Sequence, residues 1–332
     1  MIRYMFLLLV CVLFSNSAQA QSYKDKSIEF VISNAIGGGF DIYGRTFAKY
    51  YEKHLPGNPE IAIRNMPGAA GLSGIKYSLA KNVTDGTHIN LVQPSPFLWS
   101  AAGVTDFDAS SIEWIGSLNR DIWMILADSQ SVKSWNDLTN SNVFIGTTSA
   151  VDDGSITARL VSYVLNKNVN IVSGYKNNPE VLLGLERGEI FAASGHTYST
   201  TARSKPDWLA GNSRYRVVLV ETTFASPKLP NAPAILDITQ DKELKELIQF
   251  VSARYDLGRP IWTVPGTNPA MLKILREAFD ITVKDPEYIE ELRSKALDND
   301  SDNAEHLKRV VTKLYSTKKH IIEKASSIVT GK

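Results

Sequence analysis

The sequence predicts an α/β protein of two lobes joined by two extended crossing segments. Three observations support this fold class. Apolar, β-branched stretches alternate with stretches of helical spacing, which indicates largely parallel sheets covered by helices. Two glycine-rich turns near the start of the chain each follow a predicted strand and precede a predicted helix. Extended runs near Asp121 and Arg259 interrupt the alternation, and we interpret them as the chain crossing to a second lobe and returning.

The first 20 residues have the pattern of a cleaved secretory signal peptide. A basic tip containing Arg3 precedes the apolar run 6–14, and Ala18-Gln19-Ala20 forms an A-x-A cleavage site. We therefore expect cleavage after Ala20 and an exported protein. The apolar run is shorter than the ~20 residues that a membrane-spanning helix needs. Cys11 is the one cysteine of the chain and lies in this segment, so we expect no thiol chemistry in the mature protein.

The first glycine-rich turn joins a predicted strand, 28–32, to a predicted helix, 40–54. Unpaired N–H groups and the positive end of the helix dipole make such a turn a candidate anion site. Glycine also simply permits a tight turn, and Asp41 would then serve only as the N-cap of its helix. The candidate ligand contacts are the three glycines and the two residues after them: Gly37, Gly38, Gly39, Phe40 and Asp41.

The second glycine-rich turn repeats this pattern between a predicted strand, 61–64, and a predicted helix, 72–79. A single turn of this kind is more often only a connection, whereas two on consecutive units favour a shared binding site. The strand that follows, 87–93, leads into a third loop at the same edge of the sheet. The candidate contacts on these two loops are Pro67, Gly68, Ala69, Ala70 and Gly71, together with Ser95.

The second lobe repeats the alternation of strands and helices. Its predicted strand 143–146 is followed by a hydroxyl-rich loop, 147–155, which is the counterpart of the first glycine-rich turn. His196 follows a strand and a glycine, so it either faces a ligand across the cleft or is merely solvated. The helices after Asn268 are amphipathic, and we expect them to cover the sheet of the first lobe. The predicted limits are 1–20 for the signal peptide, 21–121 and 259–332 for the first lobe, and 122–258 for the second.

Composition and motifs argue against several classes of function. The 36 basic and 35 acidic residues nearly cancel, which argues against a nucleic-acid partner. The five histidines show no metal-ligand spacing, and we expect neither a metal nor a cofactor. Dinucleotide-binding, phosphate-loop and nucleophile-elbow motifs are missing, and Ser73 and Lys76 match an S-x-x-K spacing without its companion motifs. We therefore expect a binding protein, monomeric, and not an enzyme.

The glycine-rich turns, with several shorter motifs in the same order, resemble the Bug family, the TctC-like periplasmic solute receptors of tripartite tricarboxylate transporters. The most specific motif is the run Arg64-Asn65-Met66-Pro67-Gly68-Ala69-Ala70-Gly71. The resemblance extends over nearly the whole mature chain. The other matching segments are 37–41, 85–87, 185–189, 229–233, 265–269, 278–280 and 284–286.

The resemblance implies a periplasmic binding protein of the Venus-flytrap type, which captures a small organic carboxylate and delivers it to membrane permease subunits. It implies that the ligand carboxylate lies between the first two loops, at Gly37 to Asp41 and Pro67 to Gly71, held by backbone N–H groups and ordered water. Thr147, Ser149 and Ser155 would close over the ligand from the second lobe.

Some residues depart from the family pattern. Ser33 to Ile36 replaces a lead that commonly contains proline, and Ala70 stands where glycine is usual. Asp152 and Asp153 place negative charge near the second-lobe loop, which counts against a dianionic ligand.

Two other functions stay open at this point. The protein would be a sensor if, with ligand bound, it docked on a membrane kinase instead of a permease. It would be an exported α/β enzyme if Asp41, His196 or Asp153 acted as an acid or base. No nucleophile, metal set or oriented dyad in the sequence supports the enzyme.

Overall fold

The computed structural model describes residues 23–223 and 226–331. The predicted signal peptide, including Cys11 and the cleavage site after Ala20, lies outside the described residues. Within them the chain forms two mixed β-sheets with helices packed against each, which confirms the two-lobe α/β prediction. No helix in these two ranges combines the length and the apolar character needed to cross a membrane.

The first sheet carries the two glycine-rich loops at one edge. Strand β1 (Ser27–Ile32) pairs in parallel with β2 (Glu60–Asn65) on one side and with β3 (His88–Leu91) on the other. Because the three strands are parallel, their carboxyl ends meet at the same edge, where the loops begin. In spatial order the sheet consists of β11 (Asp302–Asn303), β4 (Glu113–Ser117), β10 (Pro260–Thr263), β3 (His88–Leu91), β1 (Ser27–Ile32) and β2 (Glu60–Asn65).

Helices of the first lobe bury aromatic side chains against this sheet. Phe47 packs against Phe279 and Tyr288, with ring centroids 5.7 and 6.4 Å apart, so the helix after the first loop is anchored in the core. Such burial is the main favourable term in folding, at about 25 cal/mol per Å² of apolar surface. The helices are α1 (Gly39–His54), α2 (Leu72–Lys81), α3 (Ser95–Ala101), α8 (Pro269–Thr282), α9 (Pro286–Ser294) and α10 (Ala304–Tyr315).

The second sheet is also mixed. Strand β6 (Phe144–Gly146) is parallel to both of its neighbours, whereas β5 (Trp123–Asp128) is antiparallel to both of its own. In spatial order the strands are β7 (Asn170–Val172), β6 (Phe144–Gly146), β8 (Ala192–Thr197), β5 (Trp123–Asp128) and β9 (Tyr215–Val220). The helices of this lobe are α4 (Asp153–Leu165), α5 (Asn178–Arg187), α6 (Tyr198–Ser204), α7 (Lys242–Ser252) and, from the end of the chain, α11 (Lys319–Thr330).

The placement of α11 differs from the expectation that every helix after Asn268 covers the first sheet. This helix packs against α4 and α7, and its Ile321 and Ile328 are buried in the core of the second lobe. Arg159 of α4 donates hydrogen bonds to the carbonyl oxygens of Ile328 and Val329 at its end. Amphipathic spacing predicts that a helix has a buried face, but it does not say which surface covers that face.

The two crossing segments run side by side. The Leu118 N–H donates to the Arg259 carbonyl oxygen, and the Arg259 N–H donates to the Asn119 carbonyl oxygen. The side chains of Asp121 and Arg259 form an ion pair, 3.0 Å between Oδ2 and Nη2, and both residues are at least 97% buried. The crossings predicted near Asp121 and Arg259 therefore contact one another directly.

Candidate functional site

A cavity of ≈ 460 Å³ lies between the lobes and is lined by both. Its size is within the range of small-molecule binding sites. The first lobe contributes the two glycine-rich loops, and the crossings contribute Trp123 and Arg259. The second lobe contributes residues from four loops and helix starts, among them Ser149, Asp152–Gly154, Lys176–Pro179, Gly195–Thr197 and Thr200–Thr201.

The first loop is held in shape by Asp41. The Asp41 carboxylate accepts hydrogen bonds from the Gly37 N–H at 2.8 Å, from Arg45 Nε at 2.9 Å and from Asn65 Nδ2 at 2.8 Å. Burial acts to raise the pKa of Asp41, but the hydrogen bonds from Arg45, Gly37 and Asn65 outweigh it and hold the pKa below its usual value. Asp41 is buried and does not line the cavity, so its place is that of an ionised structural group.

The N–H groups at the start of helix α1 remain available. Gly38 donates to the Ala35 carbonyl oxygen, and Gly37 is occupied by Asp41. The N–H groups of Gly39 and Phe40 open helix α1 and have no hydrogen-bond partner among the described residues. Because the first N–H groups of a helix have no partner within it, they point out of its end and favour an anion there.

The second loop has an unusual backbone. Four consecutive residues have positive φ, with values of 134° at Gly68, 45° at Ala69, 50° at Ala70 and 96° at Gly71. For an alanine this conformation costs roughly 1–2 kcal/mol, and such strain tends to persist at functional sites. The Gly71 N–H donates back to the Gly68 carbonyl oxygen, whereas those of Gly68, Ala69 and Ala70 lack partners in the described chain. Ala70, which stands where glycine is usual in the family, therefore still adopts the left-handed backbone conformation.

The two loops adjoin one another. Asn65, at the end of β2, donates from Nδ2 to the Asn34 carbonyl oxygen of the first loop at 2.9 Å. Ser33, at the start of the first loop, lies against Gly71 in the second, since a methyl group built on Gly71 would lie 3.1 Å from Ser33 Oγ. Both sets of free N–H groups therefore belong to one wall of the cavity.

The hydroxyl-rich loop of the second lobe is organised differently. The Asp152 carboxylate accepts from the N–H groups of Thr148, Ser149 and Ser155, at 2.7, 3.0 and 2.8 Å. The protein's own side chain therefore occupies the amide groups at the start of α4, where an external anion would otherwise bind. Thr147 Oγ1 and Ser155 Oγ are 2.8 Å apart, both residues are buried, and neither lines the cavity. Of the three contacts predicted on this loop, only Ser149 lies at the cavity wall.

Ser95 is also behind the wall. Its hydroxyl donates to Asp153 Oδ1 at 2.5 Å, and Arg254 Nε lies 2.9 Å from the same oxygen. Ser95 therefore connects the first lobe to α4 of the second. The charge of Asp153 is balanced by buried Arg254, and that of Asp152 is shared among backbone N–H groups, so neither repels an acid ligand as strongly as the sequence alone indicates.

His196 lines the cavity and is 1% exposed. Burial lowers its pKa to about 4, so the imidazole is neutral at pH 7. Its Nε2 atom has no hydrogen-bond partner in the described residues, and neither does Nε1 of Trp123, another residue of the cavity wall. A ligand oxygen or hydroxyl in this part of the cleft would satisfy such groups.

Sequence reasoning missed several cavity residues. Trp123 and Arg259 were placed in or near the crossings but were not predicted to line the cavity, and no sequence pattern pointed to Thr200. Lys176 and Arg203 are exposed cations at the second-lobe side of the cavity, and neither forms an ion pair within the described ranges. Lys176 could have been noticed because it immediately precedes a helix start, Asn177-Asn178-Pro179, at the end of a strand.

No protein-family model and no curated protein matches the sequence. Solved structures match over most of the chain. A TctC solute-binding protein from Polaromonas, without ligand, has a TM-score of 0.63 at 18% identity, covering 91% of this chain and 100% of its own. MatC from Rhodopseudomonas palustris, with bound malate, has a TM-score of 0.67 at 14% identity, covering 91% and 98%. Rpa4515 from R. palustris, with adipate, has a TM-score of 0.64 at 18% identity, covering 90% and 97%.

These likenesses show the fold. The chain has the two-lobe architecture of the TctC-like solute-binding proteins, and the resemblance indicated by the glycine-rich turns is confirmed at that level.

Proposed function

We propose that the protein is a periplasmic solute-binding protein of the Bug and TctC type, which captures a small organic carboxylate in the cleft. The observation that carries this proposal is the set of free backbone N–H groups on one cavity wall, from Gly39 and Phe40 in the first loop and Gly68 to Ala70 in the second. The residues that carry these donors line the cavity, and the dipole of α1 adds to their attraction for an anion.

Backbone donors suit a receptor that must bind and release its ligand. A backbone N–H group does not titrate, so it donates at every pH, and it holds a carboxylate without the cost of a buried, unpaired lysine. The bound malate of MatC and the bound adipate of Rpa4515 support a carboxylate as the ligand class. We infer that one carboxylate of the ligand lies between the two loops.

The second-lobe side of the cavity favours a second acid group on the ligand. Lys176 and Arg203 contribute positive charge without an ion-pair partner in the described residues, while Asp152 and Asp153 are compensated by the protein itself. Ser149, His196 and Trp123 would contact the middle of the molecule. A dicarboxylate therefore fits this charge distribution better than a monocarboxylate.

Closure of the lobes would trap the ligand, with motion at the paired crossings near Asp121 and Arg259. The export signal predicted for residues 1–20 supports a periplasmic location, and delivery to the permease subunits of a tripartite tricarboxylate transporter completes the proposal. Of the candidate acid–base residues, Asp41 and Asp153 are each held in an ion pair, with Arg45 and Arg254, which supports binding over catalysis.

The test is ligand-dependent stabilisation of protein that has been unfolded and refolded to remove any bound solute. At a hundredfold excess over Kd, binding to the folded state adds about 2.7 kcal/mol to the free energy of unfolding, which raises the melting temperature. We expect this for at least one acid in a panel of mono- and dicarboxylates that includes malate and adipate. The corresponding uncharged amides are the matched controls and should give no shift.

Two results would contradict the proposal. A flat response of the refolded protein to every acid in the panel would count against carboxylate capture. Conversion of the acid to a product, detected by mass spectrometry of the recovered acid, would identify an enzyme instead.

A further inference from the structure

Arg259 is a buried cation at the cavity wall whose hydrogen-bonding capacity is largely unused. It is 2% exposed, and its one charged partner in the described chain is Asp121, 3.0 Å from Nη2. The Nε and Nη1 atoms have no hydrogen-bond partner among the described residues. A buried donor without a partner carries the full cost of its lost hydration, so these atoms indicate a partner that the protein itself does not supply.

The guanidinium group lies directly behind the proposed carboxylate site. A methyl group built on Gly39 would lie 3.7 Å from Arg259 Nη2. The guanidinium carbon is 4.2 Å from the ring centroid of Tyr43 and 5.3 Å from that of Phe40. These contacts with the first turn of α1 place a full positive charge beside the free N–H groups of Gly39 and Phe40.

The ion pair with Asp121 does not cancel this charge evenly. The Asp121 carboxylate also accepts from the N–H groups of Ile122 and Ser199, at 3.0 and 3.1 Å, and from the Ser199 hydroxyl. Its negative charge is therefore shared among several donors, whereas Arg259 has a single acceptor. The Asp121 carboxylate thus keeps other donors if a ligand engages Arg259, whereas two guanidinium nitrogens of Arg259 have no acceptor in the described residues and belong to a residue that lines the cavity.

We propose that Arg259 is the charge-supplying residue of the carboxylate site, and that the bound acid and Asp121 compete for its guanidinium group. This inference rests on the proposed function, because it assumes an acid group at the first loop. Asp121 and Arg259 belong to the two crossings. Ligand binding would therefore weaken the ion pair that joins the crossings. Occupancy of the cleft is thereby coupled to the segments at which the lobes move.

Two substitutions distinguish this proposal from a purely structural role of the ion pair. If Arg259 only holds the crossings together, Asp121→Asn and Arg259→Gln remove the same interaction and weaken ligand binding alike. If Arg259 attracts the acid, Asp121→Asn frees the guanidinium group and tightens binding by roughly threefold to tenfold. Arg259→Gln then weakens binding by about tenfold or more, because a charge-assisted partner is lost.

The experiment measures Kd by titration calorimetry for succinate, malate and adipate, at low and high salt. Arg259→Lys, which keeps the charge, should recover part of the loss, and Arg259→Gln should show a weaker salt dependence than the natural protein. The matched controls are Arg214→Gln and Asp128→Asn, because Arg214 and Asp128 form an ion pair that does not line the cavity. Both controls should leave Kd unchanged.

The sign of the Asp121→Asn effect decides the question even if Arg259→Gln does not fold. Tighter binding supports the inference, and unchanged or weaker binding overturns it while leaving the proposed function intact. Failure of the natural protein to bind any of the three acids or the wider panel would overturn both proposals.

Discussion

Gly39 lies against the second lobe at the edge of the proposed ligand site. A methyl group built on this residue would lie 2.7 Å from Cγ2 of Thr200 in α6, closer than side-chain carbons approach one another. Thr200 is β-branched and its hydroxyl is 2.7 Å from that of Thr197, so it has little freedom to move aside. The missing side chain at Gly39 therefore allows the two lobes to approach.

We expect Gly39→Ala to weaken carboxylate binding about tenfold to a hundredfold. Overpacking of this kind typically costs 1–3 kcal/mol, and here the cost is incurred when the lobes close. Thr200→Ser removes the opposing methyl group but keeps the hydroxyl, so the double variant should recover most of the affinity measured by calorimetry. Gly74→Ala is the matched control, because Gly74 does not line the cavity and its closest new contact would be Cγ1 of Val31 at 3.4 Å. Full affinity in Gly39→Ala would show that the lobes need not approach here.

The N–H groups at the start of a helix are either left free for a ligand or bound by a side chain of the protein. The loops before α1 and α4 are both rich in small or hydroxyl residues and look alike in the sequence. At α1 the residue at the N-cap is Gly38, which has no side chain to offer, and the N–H groups stay free. At α4 the N-cap is Asp152, whose carboxylate accepts from the loop and the helix. The two loops therefore differ in which amide groups they leave free, despite their similar composition.

The packing of α1 on α9 depends on a carboxylate at the helix surface. Glu291 accepts from Lys295 at 2.8 Å, from Lys49 at 2.5 Å and from the Tyr50 hydroxyl at 2.7 Å. These hydrogen bonds, with that of Lys295 the strongest influence, lower the pKa of Glu291 to about 2 from the usual 4.5. The folded protein therefore holds this group ionised at pH values where the unfolded chain binds a proton.

We expect Glu291 to contribute stability that is complete above pH 4.5 and is lost as the pH falls towards 2. The direction follows because the unfolded state takes up the proton first on acidification, which favours unfolding. Glu291→Gln should lower the stability at neutral pH and flatten this part of the stability profile, measured by urea unfolding at a series of pH values. Glu290→Gln is the control, since Glu290 is largely exposed and pairs with Arg293. Identical acid profiles for the two variants would contradict this assignment.

At the scale of the whole molecule, the lobes are linked by more than the crossings. The core of the second lobe includes Leu98 and Trp99 of α3 together with Ile328 of α11, all buried. Helix α11, at the end of the chain, thus stabilises the second lobe, although the helices just before it pack on the first. The closure proposed for the lobes would have to occur without exposing this shared core.

We expect Ile328→Ala to lower the free energy of unfolding by about 2–4 kcal/mol, because it leaves a cavity in this core. Hydrogen exchange should quicken in α4 and α7, which α11 contacts, more than in α1 and α8. Ile281→Ala on α8 is the matched control, because Ile281 is 52% exposed and its loss should change stability little. Faster exchange mainly in α1 and α8 would mean that α11 belongs to the first lobe after all.

Much of the fold could be predicted because it depends on neighbours along the chain. Hydrophobic spacing and turn chemistry indicated the strand, glycine turn and helix around Gly37 to Asp41 and around Pro67 to Gly71, and the structure has those units. The extended runs near Asp121 and Arg259 indicated the two crossings, which pair with one another. These features need no knowledge of distant residues.

The sequence by itself determined the α/β class, the two lobes and the loops that face the cleft. Only the tertiary structure decided which amide groups stay free and that Thr147, Ser155 and Ser95 lie behind the cavity wall. It also decided that α11 packs on the second lobe and that two nitrogens of the Arg259 side chain have no hydrogen-bond partner in the described residues. The physical reason is that a polar group or an apolar face is satisfied by partners from remote parts of the chain. Their identity depends on packing in three dimensions, which the local pattern of residues does not contain.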